Sequence, residues 1–385
     1  MEHPLTVMQL LPALHSGGVE RGTLDVGAEL VRRGHRSIVV AAGGGMEREL
    51  VNAGSEHISW PIGHKSLLTL RWVRPLRRLL VEKHVDILHL RSRLPAWVGY
   101  LAWRGLDPQS RPRLVTTVHG FYTVGRYSAV MTRGERVIAV SESVRDYIFA
   151  NYPAVPHERV TVIHRGVDTD RYRFGYRPSR DWMGAWYGRY PQLRDRFVVT
   201  LPARVTRWKG QLHFIEVIAG LKRRGLPVHG LIVGGTHPRK HAFLHEVERA
   251  IAAADLGDTI TLVGHRSDLR EVLAASDVVL SLSTDPEAFG RTTIEALSLG
   301  IPAAGYDHGG VAEQLRAVLP QGLVPVGDRQ AMAELLAGWY QSPPAVPSSH
   351  PFSLRAMLDA TLGLYEDLAA SRYPAASGPP EARQG

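Results

Sequence analysis

The chain has 385 residues, 44% hydrophobic and 22% charged, which suits two ordinary globular domains and excludes a fibrous or largely disordered class. It has no cysteine, so disulfides, thiolate catalysis and cysteine-based zinc sites are excluded. The net charge of +9 is uneven: residues 1–180 carry 26 Lys and Arg against 16 Asp and Glu, whereas residues 181–385 carry 20 against 21. A basic first half implies an acidic partner such as anionic lipid, an acidic glycan or nucleic acid.

The first apolar run, Leu5–Leu14, is short and leads into a glycine loop, so it reads as a strand and not a secretory signal. No run reaches 18 apolar residues, and none is expected to span a membrane. These features predict a cytoplasmic protein. Further strands are predicted at Ser37–Ala42, Ile87–Leu90, Leu114–Val118, Arg136–Val140 and Val160–Ile163. A second series follows at Phe197–Leu201, Val228–Val233, Thr259–Val263, Val278–Leu282 and Ile301–Ala304. These runs are rich in Val, Ile and Leu with little alternation, as strands covered on both faces require. Helical patterns at Gly22–Arg33, Leu68–Lys83 and Gln211–Arg224 lie between them, so the fold class is α/β with doubly wound parallel sheets. The expected layout is an N-terminal Rossmann-like domain over 1–175, a hinge over 176–196 and a second such domain over 197–350. A C-terminal helix over 351–372 and a disordered tail over 373–385 complete it.

Four places carry chemistry. Gly17 and Gly18 end the first strand and open a helix, which lets an anion approach free backbone N–H groups. His119 follows a strand, where open α/β sheets bind ligands. Arg204 and Lys209 lie between the second domain's first strand and its helix, a placement that suits a diphosphate. The sharpest signal is "STDPEAFGRTTIEALSLGIPAAGYDHGG". A buried strand leads to Glu287, Gly290 admits a close backbone approach, and a helix runs from about Arg291 to Leu299 with Glu295 inside it. An anion suits the helix N-terminus, and two carboxylates on either side of that point suit hydroxyls. Asp168-Thr169-Asp170 also reads as a D-x-D metal motif, but its position after a strand is expected to make it a turn.

This segment resembles the E-x7-E motif of the retaining family 4 (group 1) glycosyltransferases. The likeness extends through "VTTVHG", "VIAVSESVRDYI", "VIHRGVDTDRY", "ARVTRWKG" and "LVGHRSDLREVLAASDVVLSLST". The resemblance implies a GT-B fold, with two Rossmann-like domains facing a central cleft and the C-terminal helix crossing back to the N-terminal domain. It implies transfer of a hexose from a nucleotide-diphosphate sugar to a glycan or glycolipid hydroxyl, in bacterial cell-surface polysaccharide or lipopolysaccharide synthesis. His119, Arg204, Lys209 and Glu287 are then the catalytic candidates. Donor binding falls to Gly17, Gly18, Arg204, Lys209, Glu287, Phe289, Gly290, Arg291 and Glu295, with Gly264, His265 and Arg266 meeting the base. Neither a metal nor a cofactor is expected. Arg165 departs from the family pattern, in which Asn is usual.

Other readings stay open: a GT-B epimerase or inverting transferase, or a non-catalytic sugar- or nucleic-acid-binding protein. Nucleic acid is not expected as a partner, because no recognisable binding motif is present. The segment Leu68–Lys83 concentrates the positive charge. Its apolar stripe is expected to face the sheet, while Arg74, Arg77 and Arg78 approach anionic headgroups on the inner face of a membrane.

Overall fold

Strands that are apolar on both faces need helices on both sides, and the chain supplies them in alternation. The computed structural model describes residues 4–15, 17–236 and 241–371. The expected tail over 373–385 lies outside the described residues. The chain divides into two units. One takes the chain up to Val140, then Val144–Ile163 and the chain from Met357 on; the other takes Ser141–Ser143 and His164–Ala356.

The first series comprises β1 (Thr6–Ala13), α1 (Gly18–Arg32), β2 (Arg36–Ala42), α2 (Glu47–Asn52), β3 (Glu56–Ser59) and α3 (Val73–Glu82). It continues with β4 (Ile87–Leu90), α4 (Arg93–Arg104), β5 (Arg113–Val118), β6 (Arg136–Ala139), α5 (Glu142–Asn151) and β7 (Val160–Val162). The strands form one parallel sheet in the order β3-β2-β1-β4-β5-β6-β7. The order reverses beside β1, so its carboxyl end is a switch point where ligands are accommodated.

The second series comprises α6 (Arg180–Arg189), β8 (Phe197–Pro202), α7 (Gln211–Arg223), β9 (Val228–Val233), α8 (Ala242–Ala253), β10 (Ile260–Gly264) and α9 (Leu269–Ala274). After these come β11 (Val278–Ser281), α10 (Arg291–Leu299), β12 (Ala303–Tyr306), α11 (Gly309–Val318), β13 (Leu323–Val324) and α12 (Arg329–Gln341). This parallel sheet runs β10-β9-β8-β11-β12-β13. Its switch point lies between β8 and β11, the two strands that lead to Lys209 and Glu287.

The last helix, α13 (Leu354–Ala370), belongs to the first unit from Met357 onward. Tyr365 is fully buried there, and its hydroxyl lies 2.5 Å from Nδ1 of buried His89, whose Nε2 is 2.7 Å from Thr117 Oγ1. Arg33 pairs with Asp359 at the surface of the same junction.

Two expected segments are built differently from the sequence expectation. Residues 176–196 hold α6, whose Gly184 and Gly188 mask its helical pattern. Ser179 Oγ caps it by accepting from Trp182 N at 3.2 Å, and Trp182 stacks on Trp186 at 5.1 Å. The single helix expected over Leu68–Lys83 is two elements, a 3-10 turn over Leu67–Trp72 followed by α3. Pro75 sits in the first turn of α3, where its missing N–H has no helical partner to lose. The stripe Leu76, Leu79 and Leu80 of α3 is buried, as expected.

Candidate active site

In the second unit, β8 leads through Arg204 to a short 3-10 turn, Arg207–Lys209, and then to α7. Gly210 joins the last two at φ 76°, and a Cβ there would come within 2.0 Å of the Leu282 carbonyl oxygen. Only glycine lets this turn sit against the end of β11. That contact brings Lys209 to Glu287. The ammonium lies 2.7 Å from Glu287 Oε1 and 4.1 Å from the centre of the Trp208 ring. Arg204 is exposed, and among the described residues its guanidinium has no acidic partner.

Glu287 is held through one oxygen. Besides Lys209, Ser283 Oγ donates to Oε1 at 2.5 Å and Ser281 Oγ at 3.4 Å. Among the described residues, Oε2 accepts no hydrogen bond. The carboxylate is thus fixed in orientation and still has acceptor capacity for hydroxyls. Its loop is set on the start of α11: Gly310 N donates to Glu287 O at 2.8 Å, and His308 Nε2 lies 2.8 Å from Ser283 O. Phe289 is buried in the core, and Gln314 Nε2 donates to its carbonyl. Gly290, at φ 82°, then turns the chain into α10. The first N–H groups of that helix open next to the Glu287 loop, where an anion is favoured.

Glu295, one turn into α10, is only 4% exposed. Arg291 donates to its Oε1 at 2.9 Å. Burial raises the Glu295 carboxyl above its ordinary range, and Arg291 pulls in the other direction without cancelling it. Burial likewise pushes the nearby Tyr172 phenol up to about 12, with the Glu295 charge adding to the effect.

Beyond β10, Gly264 has φ 74° and His265 is exposed. The Arg266 side chain is committed to Asp268 through Nε at 2.8 Å and a second nitrogen at 2.5 Å, over the Trp186 ring. Trp182 Nε1 donates to the same carboxylate at 2.9 Å, so α6 props this loop. Asp168 Oδ1 accepts from the N–H groups of Asp170 and Arg171 at 3.0 and 3.1 Å, which makes the D-x-D segment a turn.

In the first unit, Gly17 follows β1 and caps α1, and Gly18 is the first residue of that helix. Gly17 is extended, a conformation open to any residue. Close backbone packing beside them involves two other glycines: a Cβ on Gly44 would reach 2.3 Å from Leu14 O, and one on Gly63 would reach 2.4 Å from Pro12 Cβ. Loops after β2 and β3 therefore lie directly on the end of β1. His119 follows β5, and its N–H donates to the Tyr122 hydroxyl at 3.1 Å.

The family model for Glycosyltransferase Family 4 matches residues 16–171, and that for Glycosyl transferases group 1 matches residues 190–354. The chain belongs to the family 4, group 1 glycosyltransferases. A crystal structure of a glycosyltransferase from Rickettsia africae ESF-5 has 28% identity to this glycosyltransferase, with a TM-score of 0.82. The match covers 95% of this chain and 99% of that one. The amylovoran biosynthesis glycosyltransferase AmsK of Erwinia amylovora is 24% identical over 54% of this chain and 48% of its own length. The lipopolysaccharide core biosynthesis mannosyltransferase LpsB of Rhizobium meliloti is 27% identical over 62% of this chain and 67% of its own. The match to AmsK therefore spans only about half of that relative's length.

Among the sequence candidates of this family 4 glycosyltransferase, Lys209 and Glu287 meet directly, and Phe289, Gly290, Arg291 and Glu295 continue the same loop and helix. Gly264, His265 and Arg266 end a different strand of that sheet. Sequence reasoning missed Ser281, Ser283, His308, Gly309, Gly310 and Trp208. The one signal for the middle group is "DHGG", a glycine pair directly after a buried strand.

Proposed function

We propose that this glycosyltransferase moves a hexose from a nucleotide-diphosphate sugar to a glycan or glycolipid hydroxyl with retention at the anomeric carbon. The bond from that carbon to the diphosphate oxygen breaks. The acceptor oxygen bonds to the same face, and its proton passes to the departing diphosphate. Arg204, Lys209 and the N-terminus of α10 carry the negative charge that develops on the leaving group. Glu287 accepts hexose hydroxyls through Oε2, and Glu295 accepts a ribose hydroxyl. The backbone at Gly264, His265 and Arg266 meets the base. The roles proposed for the first unit are His119 for the transferring sugar and Gly17 and Gly18 for the diphosphate.

The observation that carries this reading is the one-sided hold on Glu287. Three donors fix Oε1, and the other oxygen keeps its acceptor capacity beside a cation and a helix N-terminus. The relatives AmsK and LpsB, described by name for amylovoran and lipopolysaccharide core synthesis, support a bacterial surface glycan as acceptor. No helix among the described residues is long and apolar enough to cross a membrane. The basic first half supports a cytoplasmic enzyme held peripherally on the anionic inner face of the membrane.

A screen of UDP-, GDP- and ADP-sugars tests the reading, with release of the nucleoside diphosphate as readout. One donor class should be consumed, and the product with acceptor should keep the donor's anomeric configuration. Free epimerised sugar or an inverted product overturns the proposal.

A further inference from the structure

The two most exposed large apolar side chains of the described residues, Leu67 and Leu68, are neighbours in one short turn that also holds Leu70. Leu67 is 88% exposed, Leu68 71% and Leu70 42%. The turn is tied down from within. Ser66 Oγ accepts from Leu68 N at 3.2 Å, and buried Thr69 donates through Oγ1 to His64 O at 2.5 Å. Trp72 closes it by stacking on Trp60 at 4.8 Å. Leucines held outward by such bonds stay in water at a free-energy cost, so their exposure is a feature of the turn's design.

Charge identifies what covers them. Residues 57–81 contain Lys65, Arg71, Arg74, Arg77 and Arg78 and no Asp or Glu. Among the described residues, Lys65, Arg71, Arg74 and Arg78 are exposed and have no ion-pair partner. Arg77 is different: its Nε donates to Ala102 O at 3.3 Å, so it serves α4 instead of the outer face. A second copy of the chain would oppose this basic patch with its own across a two-fold axis. A bilayer with anionic headgroups matches both features, charge at the rim and apolar tips in the middle.

We infer that the Ser66–Trp72 turn is an insertion element, with Leu67, Leu68 and Leu70 entering the acyl boundary and Lys65, Arg71, Arg74 and Arg78 meeting anionic headgroups. It rests on the peripheral association proposed above and replaces a charge-only contact with an anchored one. The turn follows β3, whose loop packs through Gly63 on the end of β1. A lipid-borne acceptor is thereby presented at the carboxyl edge of the first sheet.

Vesicle co-sedimentation of the full chain tests this, with phosphatidylglycerol in phosphatidylcholine as the probe. Wild type should bind anionic vesicles and retain part of that binding at about 0.5 M NaCl, where surface charges are strongly screened. Leu67→Ser with Leu68→Ser should lower the salt-resistant partition by roughly tenfold or more. Arg71→Ser, Arg74→Ser and Arg78→Ser together should weaken binding at low salt. Donor hydrolysis in solution should be unchanged in both variants, which also verifies folding. Binding that vanishes with salt, or a leucine variant that binds like wild type, overturns insertion while leaving charge-driven association intact. No binding to anionic vesicles at low salt removes both. A lipid-free dimer that the leucine variant dissociates assigns the turn to self-association instead.

Discussion

In the second unit, most of the charged groups beyond the strand ends are held in pairs: Lys209 with Glu287, Arg291 with Glu295, and Arg266 with Asp268. In the first unit, the densest run of cations, residues 65–78, has no acid within it, and none of its five cations has an acidic partner among the described residues. The two units share an architecture, but these two regions dispose of charge in opposite ways. Paired groups at a ligand site are already oriented, so binding costs little reordering. Unpaired cations on an exposed face retain their charge for an external partner. On the proposed function, the paired groups of the second unit hold the charged donor and the unpaired cations of the first meet an acidic surface.

Breaking the pairs should separate the units most sharply. Lys209→Ala removes a diphosphate cation and also leaves Glu287 without its charge partner. Transfer should fall roughly 10- to 100-fold, the loss typical of a charged hydrogen bond. Steady-state kinetics with a circular dichroism control would decide it, and near-normal turnover would sink the donor-site assignment. Glu295→Gln keeps the shape and removes only the charge of a buried group. We expect roughly a tenfold rise in donor KM with a smaller change in kcat. An unchanged donor KM would move the ribose contact elsewhere.

A stability measurement sharpens the comparison on the other side. Hydrogen bonds from Arg32 and Arg33 hold the Glu29 carboxyl in α1 down to about 2, against the cost of burying it. A lowered folded-state value stabilises the fold above the ordinary carboxylate range, and the contribution disappears as pH falls toward 2. Glu29→Gln should therefore cost about 1 kcal/mol at neutral pH, with the gap to wild type closing in acid. Thermal melts at stepped pH would read this, and a pH-independent gap would contradict it. The smallest effect is expected from chelation. With Arg204 and Lys209 serving the diphosphate, EDTA should leave transfer unchanged, and restoration by Mg²⁺ or Mn²⁺ after a loss would reverse that reading.

Much of the fold was legible because strands covered on both faces must be continuously apolar, and Ile87–Leu90 and Val228–Val233 are. The edge strands β3 and β13 escaped notice because an edge needs less apolar cover and both are short. At the site, the frame of strand, Glu287, Gly290 and helix is local and therefore readable. The support from His308 and Gly310 is not, because those contacts join residues more than 20 positions apart. The Leu67–Leu70 turn was illegible for another reason. Its leucines stand next to an amphipathic helix and read as part of that helix's apolar content, and nothing local marks the change to a 3-10 turn.

The burial of Tyr365 against His89 also bears on how the molecule is made. Domains close as they emerge from the ribosome, usually the first-synthesised part before the later one. Here a buried polar junction of the first unit lacks its partner until residues 357–371 have been synthesised. The second unit, complete by residue 356, is available to close first. The earlier-made sheet meanwhile lacks the cover that Tyr365 gives His89.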